Sequence, residues 1–418
     1  MLQLYHMKIA IFSDCYLDLT GGIVSSINAQ KAALEKLGHK VYIFSTGFPR
    51  SEQELKRLAK NHIYQVPSCK LFFRGLTPVS RRPQIIMRWL LDKHPEIRKF
   101  DIFYVHYEAG CSIAGLKLAK KLNIPSVQVM HGREDMGESN LIPWGFRTFV
   151  AIMLNWMHSW YIPHKVKIHR DKRLANSFAK ARMWSIMVNH ANYADLILTP
   201  SKHFKQKLVS YGAKKSRIKV FPNGFPDDKM PKDPEVRRLS PGEELRIIWH
   251  SRVSAEKRIM PFLRALTQVD GHYRLDVYGG GGDYYRAKRF ARRHYLKVRF
   301  HGNVKFSRIE KALAKAHLDV LVSYGFDTFG MTLIEAEAYG VPVFFCDKDM
   351  KEIVPEGSYV FSPSPNPSEM AEALNRLLAY PDRISEMSRT MIDHRDEISI
   401  DSRINTLIDY FQSLIQCD

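Results

Sequence analysis

The sequence has few cysteines and no long apolar run. Its five cysteines are scattered and form no C-x-x-C pair, which argues against a disulfide framework or a thiolate metal site and favours a reducing cytosol. The first residues, MLQLYHMKIAIFS, lack a basic stretch followed by a long apolar segment. Neither a signal peptide nor a transmembrane helix is therefore predicted. Low-complexity tracts are also absent from the 418 residues, which argues against disorder.

Acidic residues are scarce in the first half of the chain. Residues 1–225 carry 35 Lys and Arg against 14 Asp and Glu, whereas residues 226–418 carry 28 against 29. The formal net charge of +20 is therefore concentrated in the first half, and it predicts a polyanionic partner for that half. Nucleic acid and an anionic membrane are the two candidates.

The length of the chain favours two domains. In both halves, short apolar runs alternate with helical patterns, which predicts parallel sheets covered by helices on both faces. The predicted fold class is α/β, with two Rossmann-like domains in tandem and a carboxyl-terminal helix that packs back on the first domain. The predicted segments are an amino-terminal Rossmann-like domain (1–225), a proline-containing linker (226–243), a second Rossmann-like domain (244–395) and the terminal helix (396–418).

The segment GFDTFGMTLIEAEAYGVPV places Asp327 eight positions before Glu335. It follows a predicted strand, and ligands of open α/β folds bind at the carboxyl ends of strands, with phosphates at helix amino termini. Glu335 is placed to accept hydrogen bonds from ribose hydroxyls, and Asp327 to reach a neighbouring sugar. The backbone N–H groups expected to face an anion belong to Phe329, Gly330, Met331 and Thr332. The eight-residue spacing alone is explained equally well if Asp327 is a loop residue near an N-cap and Glu335 is a solvated helix residue.

Two other segments carry features suited to phosphate. HSRVSAEKR offers Arg252 and Lys257 on a loop leading into a helix, and two fixed cations there suit a diphosphate. Gly21 and Gly22 lie in the first predicted turn, where absent side chains let the backbone approach a phosphate or a sugar. Taken alone, the basic pair is explained more simply as surface charge, and a single Gly-Gly pair is a weak signal.

Together these segments resemble the retaining glycosyltransferases of family 4, whose two Rossmann-like domains form the GT-B arrangement. The resemblance covers nearly the whole chain. Its motifs are, in order, FSDCYLDLTGG, VMHGRED, ILTPS, FPNG, SRVSAEK, YGGGG, HGNV and GFDTFGMTLIEAEAYGVPV. The last one is similar to the E-x7-E motif of that family, with Asp327 in place of the first glutamate.

The resemblance implies a role for each matched residue. Glu335 binds the nucleotide ribose, and Asp327 contacts hydroxyls of the donor sugar. Arg252 and Lys257 hold the diphosphate and stabilise its charge as it leaves. His131 matches the histidine that contacts the donor sugar. The implied catalytic residues are His131, Arg252, Lys257 and Asp327.

The resemblance also implies a reaction. Gly22 lets the first loop close over the phosphates and the acceptor, and the two cations replace the divalent metal of other folds. No metal is therefore assigned, although residues 347–349 spell DKD, and no cofactor is implied beyond the UDP-hexose donor. Because no nucleophile is evident, the expected mechanism is a front-face reaction in which the departing phosphate helps to deprotonate the acceptor.

Basic and aromatic residues are interleaved between residues 144 and 190. Such a mixture suits a surface that rests on anionic lipid head groups. The predicted membrane contacts are Trp156, Trp160, Lys165, Lys167, Arg170, Lys172 and Arg173, and Trp184 lies in the same stretch. A core of aromatics beneath a solvated basic face explains the same composition.

The chain looks most like bacterial glycosyltransferases that make glycosyl-diacylglycerols from UDP-hexoses. The resemblance predicts a peripheral enzyme on the cytoplasmic face of the membrane that transfers glucose or galactose to a lipid acceptor, diacylglycerol or monoglycosyl-diacylglycerol. A polyprenyl-linked saccharide or a cell-wall polymer is the alternative acceptor, and a UDP-sugar epimerase of the same fold is a second alternative. Nucleic acid is not expected as a partner, because no recognised nucleic-acid-binding motif is present.

Overall fold

A computed structural model of the chain describes residues 6–14, 16–18, 21–70, 78–132, 146–169 and 177–416. The chain forms two compact units. The first comprises Met1–Pro222 and Arg403–Asp418, and the second comprises Asn223–Ser402.

The first unit is built on a parallel sheet that has seven strands among the described residues, in the order β3-β2-β1-β6-β7-β8-β9. A separate antiparallel pair joins β4 to β5. The bounds are β1 (Lys8–Ser13), β2 (Lys40–Ser45), β3 (Ile63–Gln65), β4 (Ser68–Lys70), β5 (Pro78–Ser80), β6 (Ile102–His106), β7 (Ser126–Val129), β8 (Leu196–Thr199) and β9 (Ile218–Val220). The central strands are apolar and buried along most of their length, as expected for a sheet covered on both faces.

The helices of the first unit follow the sequence signals closely. A capping box at Ser51 and Glu54 begins one helix, and Asn123 ends another in the left-handed conformation that favours asparagine and glycine. The helices are α1 (Gly22–Lys36), α2 (Glu52–Ala59), α3 (Pro83–Lys93), α4 (Gly110–Leu122), α5 (Arg147–Ser159), α6 (Phe178–Tyr193) and α7 (Lys202–Ser210).

The second unit repeats this architecture around a parallel sheet ordered β12-β11-β10-β13-β14-β15. Its strands are β10 (Leu245–His250), β11 (Tyr273–Tyr278), β12 (Val298–Gly302), β13 (Leu318–Leu321), β14 (Val343–Phe345) and β15 (Tyr359–Phe361). Its helices are α8 (Ile259–Leu266), α9 (Tyr284–Arg293), α10 (Phe306–Leu313), α11 (Met331–Ala338), α12 (Pro367–Ala379) and α13 (Arg383–His394).

Both faces of this second sheet are covered. Ile247 and Trp249 pack into one buried cluster and Ile248 into another, because successive side chains of a strand point to opposite faces. The predicted α/β fold with two Rossmann-like sheets is confirmed.

The terminal helix and the predicted linker can now be assigned to these units. The last helix, α14 (Ile400–Ile415), lies in the first unit from Arg403 onward. Its Phe411 ring packs against Tyr104 at 5.2 Å, so the predicted return of this helix to the first domain is confirmed. Residues 226–243, which the sequence predicts to be a linker, belong to the second unit. There the buried Arg237 donates hydrogen bonds to the carbonyl oxygens of Ala314 (2.6 Å) and Tyr339 (2.9 Å).

Candidate functional site

The loops that follow β10 and β11 are packed backbone against backbone. The N–H of Val253 donates to the carbonyl oxygen of Gly280 at 2.8 Å. Gly279 has φ +128°, and a Cβ there would lie 2.2 Å from the carbonyl oxygen of Ser251. Gly281 has φ +150°, and its Cβ would lie 2.4 Å from the carbonyl oxygen of Val253. Gly279 and Gly281 of YGGGG are therefore required for these two loops to approach each other.

Lys257 and Asp327, predicted from separate motifs, form an ion pair. The Nζ atom of Lys257 lies 2.7 Å from Oδ1 of Asp327, and both side chains are largely buried. The other carboxylate oxygen of Asp327 accepts a hydrogen bond from the hydroxyl of Ser323. The Lys257 ammonium also lies 5.4 Å from the centre of the Phe326 ring. Asp327 therefore orients the lysine that the sequence assigns to the diphosphate.

Arg252 lies on the same loop but projects into solvent. Its side chain is 67% exposed, and its Nη2 atom lies 3.4 Å from Oε1 of Glu256. Glu256 is in turn held by the hydroxyl of Ser254 at 2.6 Å. The structure thus places one exposed cation and one largely buried cation on a short loop at the carboxyl end of β10, and each is ion-paired with a carboxylate of the chain.

The start of α11 offers backbone groups and one side-chain hydroxyl that a ligand can contact. Gly330 precedes the helix with φ 71°, a conformation that favours glycine. The Phe329 side chain is buried in the apolar core, so its backbone is the part that can meet a ligand. Met331 begins the helix and packs partly buried against the same core. The hydroxyl of Thr332, in the first turn, is buried and has no hydrogen-bond partner among the described residues.

Glu335 projects from α11 towards a buried histidine. Oε2 of Glu335 lies 3.2 Å from Nδ1 of His250, and Nε2 of His250 lies 3.2 Å from Oδ1 of Asp319. Burial opposes a charge on the ring, but the two carboxylates outweigh it and raise the pKa of His250 to about 10. At neutral pH the His250 ring is therefore an imidazolium that lies between the two acidic side chains.

The DKD sequence has a structural role in the loop before α11. Oδ2 of Asp347 accepts a hydrogen bond from the N–H of Gly325 at 2.6 Å, and Oδ1 accepts one from the N–H of Asp349 at 3.1 Å. Asp347 thereby ties the loop after β13 to the loop after β14. In the part of the chain that the structure describes, no group of three or more His, Cys, Asp or Glu side chains is arranged to hold a metal ion.

His131 lies just after β7 in the first unit. Its Nε2 atom is 2.7 Å from Nδ1 of His106, and the two rings stack with centroids 5.0 Å apart. Burial lowers the pKa of His131 to about 4, so the ring is neutral at pH 7. Gly21 and Gly22 lie at the amino end of α1, where Gly21 precedes the helix with φ 142°.

The predicted membrane contacts lie partly on an exposed surface and partly outside the described residues. Helix α5 buries Ala151 against Met183 and Ile186 of α6 and exposes a wide apolar face. The exposed side chains are Phe146, Phe149, Ile152, Met153, Trp156, Met157 and Trp160. Lys165 and Lys167, just beyond the helix, are exposed, whereas Arg170, Lys172 and Arg173 lie outside the described residues.

Trp184 is not part of that surface. It is fully buried and stacks on Tyr211 with ring centroids 3.9 Å apart. Helix α6 is covered by α5 on one side and packs on the sheet on the other, so its aromatic residue is drawn into the core. Trp184 is thus a core residue of the mixed basic and aromatic stretch, whereas Trp156 and Trp160 are each 58% exposed.

Sequence reasoning missed several residues around these groups. Asp319 is an acid inside the apolar strand LDVL, and His250 ends the apolar strand LRIIWH; a charged residue within a buried run is a signal that could have drawn attention to both. Ser323 and His106 carry no such signal, because their importance comes from neighbours distant in the sequence.

Comparisons with known proteins agree with this geometry. Two parallel α/β units of this kind are also found in solved glycosyltransferase structures of the GT-B fold. Residues 20–229 match the family model "Glycosyltransferase Family 4", and residues 244–380 match "Glycosyl transferases group 1". The chain therefore belongs to glycosyltransferase family 4, as the motifs predict.

The individual relatives share low sequence identity with the chain. The chain is 25% identical to the alpha-monoglucosyldiacylglycerol synthase of Streptococcus pneumoniae over 81% of this chain and 70% of the relative. It is 28% identical to the lipopolysaccharide 1,6-galactosyltransferase of Escherichia coli over 38% of this chain and 45% of the relative. The structure of Anabaena HepE in complex with UDP and glucose superposes with a TM-score of 0.68 at 16% identity, covering 98% of this chain and 100% of that one. None of the helices in the described ranges is long and apolar enough to span a membrane.

Proposed function

We propose that this glycosyltransferase moves a hexose from a UDP-sugar, with retention of anomeric configuration, to a membrane lipid such as diacylglycerol or monoglycosyl-diacylglycerol. The observation that carries the lipid acceptor is the exposed apolar face of α5, with seven large apolar side chains on or beside one helix. The enzyme is proposed to act on the cytoplasmic face of the membrane, which it meets with the basic first half of the chain.

The donor site is proposed at the carboxyl ends of β10 and β13. Arg252 and Lys257 supply two positive charges on one loop, and Glu335 offers a partly exposed carboxylate one turn into α11. This set suits the diphosphate and the ribose of a nucleotide. A protein of the same fold, Anabaena HepE, has been crystallised with UDP and glucose, which supports UDP as the nucleotide.

In the proposed reaction the diphosphate leaves the anomeric carbon while the two cations stabilise its growing charge, without a metal. The departing phosphate oxygen takes the proton of the acceptor hydroxyl on the same face of the sugar, so the configuration is retained. Asp327 is proposed to contact hydroxyls of the donor sugar while it holds Lys257, since each carboxylate oxygen can accept more than one hydrogen bond. The catalytic role of His131 stays a prediction.

The acceptor is proposed to be presented by the membrane. Trp156 and Trp160 pack edge to face at 4.3 Å on the exposed side of α5, and Lys165 and Lys167 follow at once. An exposed apolar helix face beside lysines suits the interface of an anionic bilayer. The Streptococcus pneumoniae relative is named as a synthase of a glucosyldiacylglycerol, which supports diacylglycerol as acceptor.

A lipid-linked saccharide is the second candidate acceptor. The Escherichia coli relative is named as a lipopolysaccharide 1,6-galactosyltransferase, which supports a lipid-linked saccharide as the acceptor. The apolar face of α5 is compatible with such a substrate as well. Acceptor identity is therefore the quantity that an experiment should measure first.

The test is incubation of the purified protein with UDP-glucose or UDP-galactose and anionic vesicles, with and without diacylglycerol or monoglucosyl-diacylglycerol. We expect UDP release that requires the lipid acceptor and yields an α-linked glycolipid. Glu335→Ala should abolish product, whereas Glu369→Ala, a control on the helix α12, should leave the rate unchanged.

Other outcomes would point elsewhere. UDP release that needs a saccharide-bearing lipid favours the second candidate. Conversion of UDP-glucose into UDP-galactose without UDP release favours an epimerase. Absence of UDP binding by calorimetry would overturn the donor assignment itself.

A further inference from the structure

Three ionisable side chains meet beneath α11. His250 ends β10, Asp319 lies in β13 and Glu335 lies on α11. The His250 and Asp319 side chains are completely buried, whereas that of Glu335 is 16% exposed. The carboxylate of Glu335 is thus the one member of this group that a ligand can reach.

The sheet register explains how His250 and Asp319 come together. Strands β10 and β13 are parallel neighbours, and Ile248 pairs with Asp319. His250 lies two residues beyond Ile248, so it points to the same face of the sheet, next to Asp319 and below α11. A buried charge is costly unless it is paired, and His250 places one ring nitrogen against each carboxylate.

The protonation state of the His250 ring decides how many N–H groups it can donate. A neutral imidazole has one N–H donor, whereas the imidazolium has two. Burial disfavours the charge, but Asp319 and Glu335 overcome it and raise the pKa of His250 to about 10. Near pH 7 the ring therefore carries two N–H groups, with Nε2 at 3.2 Å from Oδ1 of Asp319 and Nδ1 at 3.2 Å from Oε2 of Glu335. These are ion-pair contacts, because neither ring nitrogen has a hydrogen-bond partner of suitable geometry among the described residues.

We propose that His250 is a positioning residue that orients the Glu335 carboxylate for the ribose hydroxyls of the nucleotide, with Asp319 as its buried anchor. This inference rests on the proposed function, because it assigns a partner to the ribose-binding glutamate. A glutamate side chain has several rotatable bonds, and fixing it before the ligand arrives removes an ordering cost from binding. His250 therefore acts through Glu335 and does not touch the ligand.

The test uses two isosteric substitutions of the same ring. The amide of asparagine occupies the place of Nδ1, which faces Glu335, and the amide of glutamine the place of Nε2, which faces Asp319. Both are made in an Asp319→Asn background, so that neither variant leaves the fully buried carboxylate of Asp319 without a partner. The two proteins, H250N/D319N and H250Q/D319N, share the same loss of charge and differ in which neighbour the amide can reach.

The readout is the ratio of the affinities for UDP and for 2′,3′-dideoxy-UDP, measured by calorimetry. In the unmodified protein the ribose hydroxyls should improve affinity roughly 10- to 100-fold, the range of a hydrogen bond to a charged group. We expect H250N/D319N to keep most of this ratio, and H250Q/D319N to lose it to within about 3-fold of unity. A merely structural role would weaken both nucleotides equally and leave the ratio unchanged.

Equal ratios in the two variants would overturn the proposal. A Glu335→Gln variant that loses the ratio while the His250 variants keep it would show that the donor site is right and the positioning role is wrong. If unmodified protein binds neither nucleotide, the proposed function itself fails.

A measurement on the unmodified protein covers the case in which a variant does not fold. With ¹⁵N-histidine labelling, His250 should show two slowly exchanging ring N–H resonances at pH 7, and UDP should shift the Nδ1–H resonance more than the Nε2–H resonance. A single ring N–H, or equal shifts, would contradict the proposal.

Discussion

Lys257 and Asp327 are 70 residues apart in the sequence, yet their side chains form an ion pair of 2.7 Å that is largely buried. Two groups predicted to touch different parts of the donor therefore also hold each other. The pair has to be treated as one unit, since changing either member leaves the other charge without its partner.

Removing one member of the pair should destabilise the protein more than removing both. Lys257→Met or Asp327→Asn leaves a largely buried charge, and each should cost about 2–4 kcal/mol of unfolding free energy. The double variant should recover most of that loss, while transferase activity falls at least ~100-fold in all three because the leaving-group cation or its orienting acid is gone. Urea unfolding at constant m-value measures the stability. Additive losses in the double variant would show that the two groups do not interact energetically.

The glycine loop after β11 offers a matched pair of substitutions. Gly281→Ala puts a Cβ 2.4 Å from the carbonyl oxygen of Val253 at φ +150°, whereas Gly282→Ala meets nothing within 4 Å. We expect the first to cost about 1–3 kcal/mol of stability and to weaken UDP binding, because the loop that carries Arg252 must shift. The second should change neither quantity. Thermal unfolding measures the stability, and calorimetry measures the affinity for UDP. Similar values for the two alanine variants would show that the loop tolerates displacement.

Membrane binding should depend on the exposed face of α5. Replacing both Trp156 and Trp160 by serine removes apolar area without disturbing the core, and should lower partitioning onto anionic vesicles roughly 10- to 100-fold. Tyr295→Ser, which removes a 94% exposed aromatic of the second unit, is the control and should leave partitioning unchanged. Vesicle sedimentation measures the effect. Unaltered partitioning in the double tryptophan variant would place the membrane contact elsewhere on the chain.

Acid should destabilise the first unit through a buried histidine pair. Nε2 of His158 lies 3.1 Å from Nδ1 of His190, and burial lowers the pKa of His158 to about 2 and that of His190 to about 3. The unfolded chain takes up these protons near pH 6.5, so stability is present above that pH and is lost as the pH falls below it. Each histidine contributes a slope of about 1.4 kcal/mol per pH unit once the pH is well below 6.5.

A combined His158→Gln and His190→Gln variant tests this pH dependence. Its free energy of unfolding, measured in urea between pH 7 and pH 4.5, should fall less steeply by roughly the contribution of two protons, about 2.7 kcal/mol per pH unit. The control is His272→Gln, a change at an exposed histidine of the second unit. Identical slopes in the double variant and the unmodified protein would assign acid sensitivity to other groups.

Local patterns were sufficient to predict much of the architecture. Alternating apolar strands and helices predicted two parallel sheets, and α4 ends at Asn123 with φ 54°, a left-handed conformation that asparagine tolerates. Motifs such as SRVSAEK and GFDTFGMTLIEAEAYGVPV identified the family, because a backbone turn and a helix start leave a mark in consecutive residues. The positions of Arg252, Lys257, Asp327 and Glu335 at the carboxyl ends of strands follow from the same local signals.

Other features depended on which elements are neighbours in space. The pairing of Lys257 with Asp327, and the contact of His250 with both Asp319 and Glu335, exist because β10 lies beside β13 in the sheet. Likewise, composition treats Trp184 and Trp156 alike, but packing of α5 on α6 buries the first and exposes the second. Sequence determined the elements and the chemical groups they carry, since these depend on near neighbours along the chain. Tertiary structure decided which charges pair and which aromatics meet solvent, since strand order and helix packing bring together residues far apart in the sequence.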